Sequence, residues 1–261
     1  MKLNKLNAVW AFALAIAVIG FVAPKFAIAQ EIASSGILLF NGTGTSADVG
    51  ALESVITNNL KLNYDTANSA QLDAMTQADL AKYKLLIIAG GNSITIGNNF
   101  STSTMANIKA AVRENGLHYL GVCAGAFLAS YAGSSGYNDI DLLDGIWFDM
   151  FTDDPCDPAA ELLSRPGTQG SIDVYWQDGP QLTTQGGTWG TIVARYPNGQ
   201  PAIIQGLAGN GWTLLQGVHP EAPASWRSDT FNTFSTSLST DLAYSATLIS
   251  AALNGTVLRH F

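Results

Sequence analysis

The stretch Tyr119-Leu120-Gly121-Val122-Cys123-Ala124-Gly125-Ala126-Phe127-Leu128 constrains this chain more than any other. A short apolar strand stops at a cysteine that has a glycine two residues to either side, and a helical run starts at once. That is the pattern of a nucleophile elbow, in which the glycines leave room for a strained turn and for close packing of strand against helix. The turn pushes the side chain outward and frees the N–H groups at the helix start to hold an anion.

The residues around the elbow repeat the strand-helix alternation. Ile37 to Phe40 reads as a strand, followed by a Gly/Thr-rich turn and a helix over about 46–60. A short strand is expected within 61–68 and a helix over 71–82. Leu85 to Ala89 is a continuous apolar run, as in a strand buried on both faces of a parallel sheet, and it ends in Gly90-Gly91-Asn92-Ser93. A helix over 103–114, a strand over 117–122 and a helix over 124–131 complete this part. Alternation of this kind predicts a doubly wound α/β sheet. Beyond Gly133 the texture becomes aromatic and β-branched, with strands expected over 172–176, 190–196, 201–207 and 212–217, the last three spaced as an antiparallel meander. A helix over 238–253 closes the chain.

Residues 1–29 read as a secretory signal peptide: Lys2 and Lys5 precede an apolar run from Ala8 to Ala23, and Ala27-Ile28-Ala29 fits a small-residue cleavage site before Gln30. A periplasmic or secreted location follows, with residues 30–261 as one domain and no stable membrane insertion after cleavage. An uncleaved anchor is the alternative. Cleavage leaves nine Lys and Arg against 20 Asp and Glu, a net charge of −11, which argues against nucleic acid or anionic lipid as partners.

A thiol nucleophile needs a base, and the base needs an orienting group. The chain has three histidines. His260 is next to the last residue and His118 lies at the start of the strand feeding the elbow, which leaves His219. Glu221 is two residues on, so in an extended segment both side chains point the same way with backbones about 6.6 Å apart. An α/β-hydrolase would place its acid between nucleophile and histidine; here the order is Cys, His, Glu.

The ordered set Gly121-Val122-Cys123-Ala124-Gly125-Ala126, Tyr175-Trp176-Gln177-Asp178-Gly179-Pro180, and Gly209-Asn210-Gly211 leading to Gly217-Val218-His219-Pro220-Glu221 resembles the class I glutamine amidotransferase-like superfamily. Within it, the set is most similar to the family named after the N-terminal domain of biotin-protein ligases. The similarity runs from about Ile37 to Glu221. It implies a flavodoxin-like, mostly parallel sheet, here with an added antiparallel section, and a Cys123-His219-Glu221 triad. It also implies an oxyanion hole made by the Ala124 N–H with an N–H of Gly91 or Asn92. The Tyr175 to Pro180 stretch is the candidate specificity loop, with Tyr175, Trp176, Asp178 and Gly179 as candidate substrate contacts.

Nothing in the chain resembles a biotin ligase catalytic domain or a synthetase that would receive ammonia. No Walker sequence or histidine cluster is present, so neither a cofactor nor a metal is expected. The expected activity is a free-standing, cysteine-dependent hydrolase acting on a small-molecule or peptide amide. Two alternatives stay open. The same fold could serve as a ligand-binding module, or Cys123 could pair with Cys156 in a disulfide.

Overall fold

The computed structural model describes residues 36–131, 138–152, 157–184 and 189–261. The proposed signal segment and Cys156 lie outside the described residues. Ser34–Phe261 forms one compact unit.

The first half contains β1 (Ile37–Phe40), α1 (Asp48–Ser54) continued by a π-helical turn over Val55–Asn59, β2 (Asp65–Ala67), α2 (Ser69–Asp73) and α3 (Gln77–Leu80). It continues with β3 (Leu85–Ile88), α4 (Ser93–Asn99), α5 (Thr102–Arg113), β4 (His118–Val122) and α6 (Ala124–Ala129). The second half adds β5 (Ile146–Met150), β6 (Ala159–Ser164), β7 (Ser171–Trp176), β8 (Pro180–Thr184), β9 (Thr191–Arg195), β10 (Pro201–Ala208) and β11 (Gly211–Gln216), then α7 (Ala224–Ser228) and α8 (Leu238–Asn254).

Nine strands form one sheet in the order β2-β1-β3-β4-β11-β10-β9-β6-β7, and β5 pairs with β8 in a separate ribbon. The first five strands are mutually parallel, in the 2-1-3-4-5 order of flavodoxin-like folds. From β11 outward every pairing is antiparallel. The expected α/β architecture is therefore present, with the meander β9-β10-β11 joining the antiparallel section to the parallel one.

Side-chain alternation explains why the inner strands are apolar throughout. Ile37, Leu39, Leu85 and Ile87 pack on one face with Leu52, Ile56, Leu248 and Ile249 of the α1 and α8 layer. Leu38, Phe40, Leu86 and Ile88 pack on the other with Leu72, Leu80, Ile108 and Val112 of α2, α3 and α5. A strand covered by helices on both sides has no solvent face to make polar.

Several expectations differ in detail. The helix expected over 71–82 is two short helices, because Asn68 with Gln71 and Thr76 with Asp79 each form a capping box that starts a new one. The helix leaving the elbow ends at Ala129, where Tyr131 bridges to Trp147. Strands β5, β6 and β8 and helix α4 were not anticipated. Asn92 starts α4 by accepting from the Thr95 N–H at 2.8 Å, and Pro180 opens β8 at the first strand position, where its missing N–H is tolerated. Among the described residues, no helix is long and apolar enough to cross a membrane.

Candidate active site

The carboxyl ends of β1, β3, β4 and β11 lie side by side, and ligands of open α/β sheets bind at that edge. Cys123 follows β4 with φ of 46° and ψ of −100°, a conformation that strains a residue with a Cβ. Its N–H donates to the Gln216 carbonyl of β11 at 2.8 Å, while its carbonyl accepts from the Ala126 and Phe127 N–H groups. Both flanking glycines are there for space. A Cβ on Gly121 would lie 2.5 Å from the Gly125 carbonyl oxygen, and one on Gly125 would lie 2.1 Å from the Ile88 carbonyl oxygen.

His219 and Glu221 follow β11. The Glu221 Oε1 is 2.9 Å from His219 Nδ1, so Nδ1–H donates to the carboxylate and the tautomer is fixed. The Gln216 amide nitrogen donates to the other carboxylate oxygen at 3.4 Å. The backbone N–H of His219 donates to the Tyr175 carbonyl at 2.7 Å, which ties the segment to β7. The Cys123 side chain lies near enough to His219 to help raise its pKa. Cys123, His219 and Glu221 are only 6%, 3% and 1% exposed. Cys123 carries a free thiol, with its sulfur 3.9 Å from the Gln177 carbonyl oxygen.

Asp48 escaped the sequence reading. It is the first residue of α1, where an acid is ordinarily explained by the helix terminus, but it is 4% exposed and its Oδ1 lies 3.5 Å from His219 Nδ1. Burial alone would lower the His219 pKa; the charge of Asp48, the nearby Cys123 side chain and Glu221 outweigh it and raise it well above the usual value. Burial and Asp48 push Glu221 up, against the pull of His219. Trp226 and Tyr175 also border the imidazole. Their rings meet the imidazole edge-on, with centroids 6.1 and 5.9 Å away.

Asp48, His219 and Glu221 offer three ligand atoms within 4.8 Å of one another. A metal with bonds of about 2.0–2.2 Å in tetrahedral geometry needs those atoms farther apart than the 2.9 Å between Nδ1 and Glu221. That spacing suits a shared proton better than an ion.

The oxyanion candidates separate. The Asn92 N–H donates to the Gly44 carbonyl at 2.8 Å and its side chain caps α4, so Asn92 is corrected to a structural role. Among the described residues, no turn hydrogen bond takes the N–H of Gly91 or Ala124. Gly91 has φ of 140°, and a Cβ there would lie 2.2 Å from the Gly44 carbonyl oxygen.

The candidate specificity loop also divides. Trp176 is buried, donates to the Gly179 carbonyl at 3.2 Å and packs edge-on against Phe151, so it is a core residue rather than a substrate contact. Gly179 is buried against Gly217, where a Cβ would come within 1.8 Å of a carbonyl oxygen. Asp178 is exposed with φ of 49° and hydrogen-bonds Asp157, whose pKa is raised to about 6 by partial burial and by Asp178. Tyr175 hydrogen-bonds the Gln177 side chain at 2.8 Å and touches His219, which keeps it at the site.

Residues 35–136 match the family described as biotin-protein ligase, N terminal. A solved structure titled a glutamine amidotransferase overlays 70% of this chain and 90% of its own, at 19% identity and a TM-score of 0.55. A cytoplasmic protein from Salmonella typhimurium overlays 82% of this chain and 98% of its own, at 14% identity and a TM-score of 0.53. The chain spans only 36% of an exo-beta-1,4-mannosidase from an Opitutaceae bacterium, at 12% identity and a TM-score of 0.50. None of the curated proteins matches the sequence. The chain thus shares its fold with the structure titled a glutamine amidotransferase, and residues 35–136 are similar to the biotin-protein ligase N-terminal family.

Proposed function

We propose that the protein is a cysteine-dependent hydrolase of amide C–N bonds, exported by its N-terminal segment. The observation that carries this is the strained Cys123 at the elbow, beside a histidine that is itself held by a buried glutamate. Cys123 passes its thiol proton to His219, and its sulfur attacks the carbonyl carbon. The tetrahedral oxyanion is held by the N–H groups of Gly91 and Ala124. Collapse expels the amine, which leaves with the proton from His219, and forms a thioester on Cys123. Water activated by His219 then releases the acid.

Glu221 keeps the Nδ1 proton in place so that Nε2 handles each transfer. Tyr175 borders this site, and the substrate is a small molecule or peptide bearing an amide. The protein's acidity and scarcity of lysine support a partner other than nucleic acid.

The test is a panel of amide and ester probes with wild type and Cys123→Ala, together with iodoacetamide labelling of Cys123 at neutral pH. Hydrolysis and fast labelling that both disappear in Cys123→Ala and slow in His219→Asn are expected. Hydrolysis that survives Cys123→Ala overturns the reading, and sluggish labelling of reduced wild type points to a binding module. N-terminal sequencing of protein recovered from outside the cytoplasm should start at Gln30.

A further inference from the structure

Glu221 is not the only carboxylate built against His219. Asp48 arrives from a different element, the start of α1 after β1, and its Oδ1 is 3.5 Å from the same Nδ1 that bonds Glu221 at 2.9 Å. The neighbouring strand is shaped to admit it. Gly90, just past β3, has no left-handed φ that would call for glycine, yet a Cβ there would fall 1.7 Å from Asp48 Oδ2 and 2.8 Å from His219 Cε1. Any other residue at 90 would force the Asp48 carboxylate to move from this position. An acid that served only to start a helix would sit in solvent, and this one is 4% exposed.

We propose that Asp48 is a positioning residue of the site, a second buried carboxylate that brackets His219 Nδ1 together with Glu221 and keeps the imidazole cationic beside Cys123. The inference rests on His219 serving a cysteine nucleophile. It adds that the resting imidazole already carries both ring protons, so the nucleophile faces a cation before substrate arrives.

The groups facing His219 are few. Asp48 comes from α1, Cys123 from the elbow, Tyr175 from β7 and Glu221 from its own segment, while Trp226 of α7 presents an uncharged ring edge. Among these described neighbours burial opposes a cation, while Asp48, Cys123 and Glu221 favour it, Asp48 most strongly. A single carboxylate donates orientation and one unit of negative charge. A second carboxylate on the same nitrogen adds to that pull, which biases the proton toward the ring even where water is excluded.

The experiment is a ring-nitrogen NMR titration of the full folded chain, in which His118 and His260 serve as internal controls because the sequence has three histidines. In wild type, His219 should stay doubly protonated through neutral pH. Asp48→Asn keeps the shape and removes the charge, and it should lower the His219 midpoint by about 1–3 units. His118 and His260 should not move. A wild-type His219 midpoint at or below about 6.5 overturns the proposal without any variant. So does an Asp48→Asn midpoint within about 0.3 units of wild type, a difference too small for an opposite charge at this range.

Should Asp48→Asn fail to fold, Asp48→Ser reads the same quantity. The hydrolase reading fails separately, if Cys123→Ala keeps amide hydrolysis, and the titration needs no substrate.

Discussion

Replacing Gly125 with alanine should destabilise the protein, although alanine is the better helix former. Gly125 lies in α6, one residue after Ala124, and the new Cβ would sit 2.1 Å from the Ile88 carbonyl oxygen and 2.9 Å from the Ile88 carbonyl carbon. Real Cβ atoms essentially never approach closer than 3.0 Å, so α6 must retreat from β3 by about 0.9 Å. The obstacle is backbone of a strand paired on both sides, by β1 and β4, and it cannot rotate away. Overpacking of this kind costs about 1–3 kcal/mol, offset by about 0.8–1.0 kcal/mol of helix propensity. At about 2–4 °C per kcal/mol for a domain this size, the melting temperature should fall by up to about 8 °C.

Gly50 in α1 supplies the contrast, since a Cβ there meets nothing within 4 Å. Gly50→Ala should raise the melting temperature by about 1–4 °C through propensity alone. Function should diverge too, because a displacement near 1 Å at a reacting group costs on the order of 10²-fold. Thermal unfolding followed by circular dichroism and the rate of Cys123 alkylation are the assays. A Gly125→Ala protein that melts as high as Gly50→Ala and labels at the wild-type rate would refute the claim that this glycine exists to seat the elbow.

The strain at Cys123 predicts that Cys123→Gly melts higher than Cys123→Ala, by roughly the 1–3 kcal/mol such a conformation costs, since both lack the sulfur and only alanine keeps the Cβ. Equal melting temperatures would mean the turn is unstrained. Asp157, raised to about 6 from an ordinary 3.8, binds its proton more tightly in the folded state, so its effect on stability is most favourable at low pH and is lost as pH rises through about 6. Asp178→Asn should therefore flatten the change in melting temperature between about pH 4 and 6; because Asp157 is exposed, the effect is small, and an unchanged slope would show the two carboxyls do not interact.

Where a single local signal sufficed, the sequence was readable. The inner strands announce themselves because burial on both faces removes every polar position, as at Leu85 to Ile88. The elbow is readable because two glycines and a cysteine at fixed spacing serve one short turn, and His219 with Glu221 because the pair is two residues apart. The strands of the antiparallel section were less visible. β6 carries Glu161 in a buried position and β8 opens on a proline, so neither shows the plain alternation that marks a strand. The helical run over 71–82 misled because its apolar spacing continues across Thr76, where a capping box begins a new helix after the first has ended at Asp73.

Asp48 and Gly90 were unreadable for a different reason, and it concerns how such sites are built. Each has a sufficient local explanation: an acid in a first helical turn, a glycine ending a strand. Their shared meaning lies in a contact between residues 48, 90 and 219, supplied by the start of α1 and the segments following β3 and β11, and no window along the chain contains all three. Cys123 and Trp176 show the same limit in opposite senses. Both are nearly buried, yet only backbone geometry distinguishes the one held under strain at a helix start from the one bonded into the core through Gly179. The elbow and the His-Pro-Glu run identify where chemistry is possible. The charge that prepares His219 is set by tertiary placement, so proteins with the same three triad residues but no acid at the position of Asp48 should hold their histidine less often as a cation, a difference the ring-nitrogen titration would read directly.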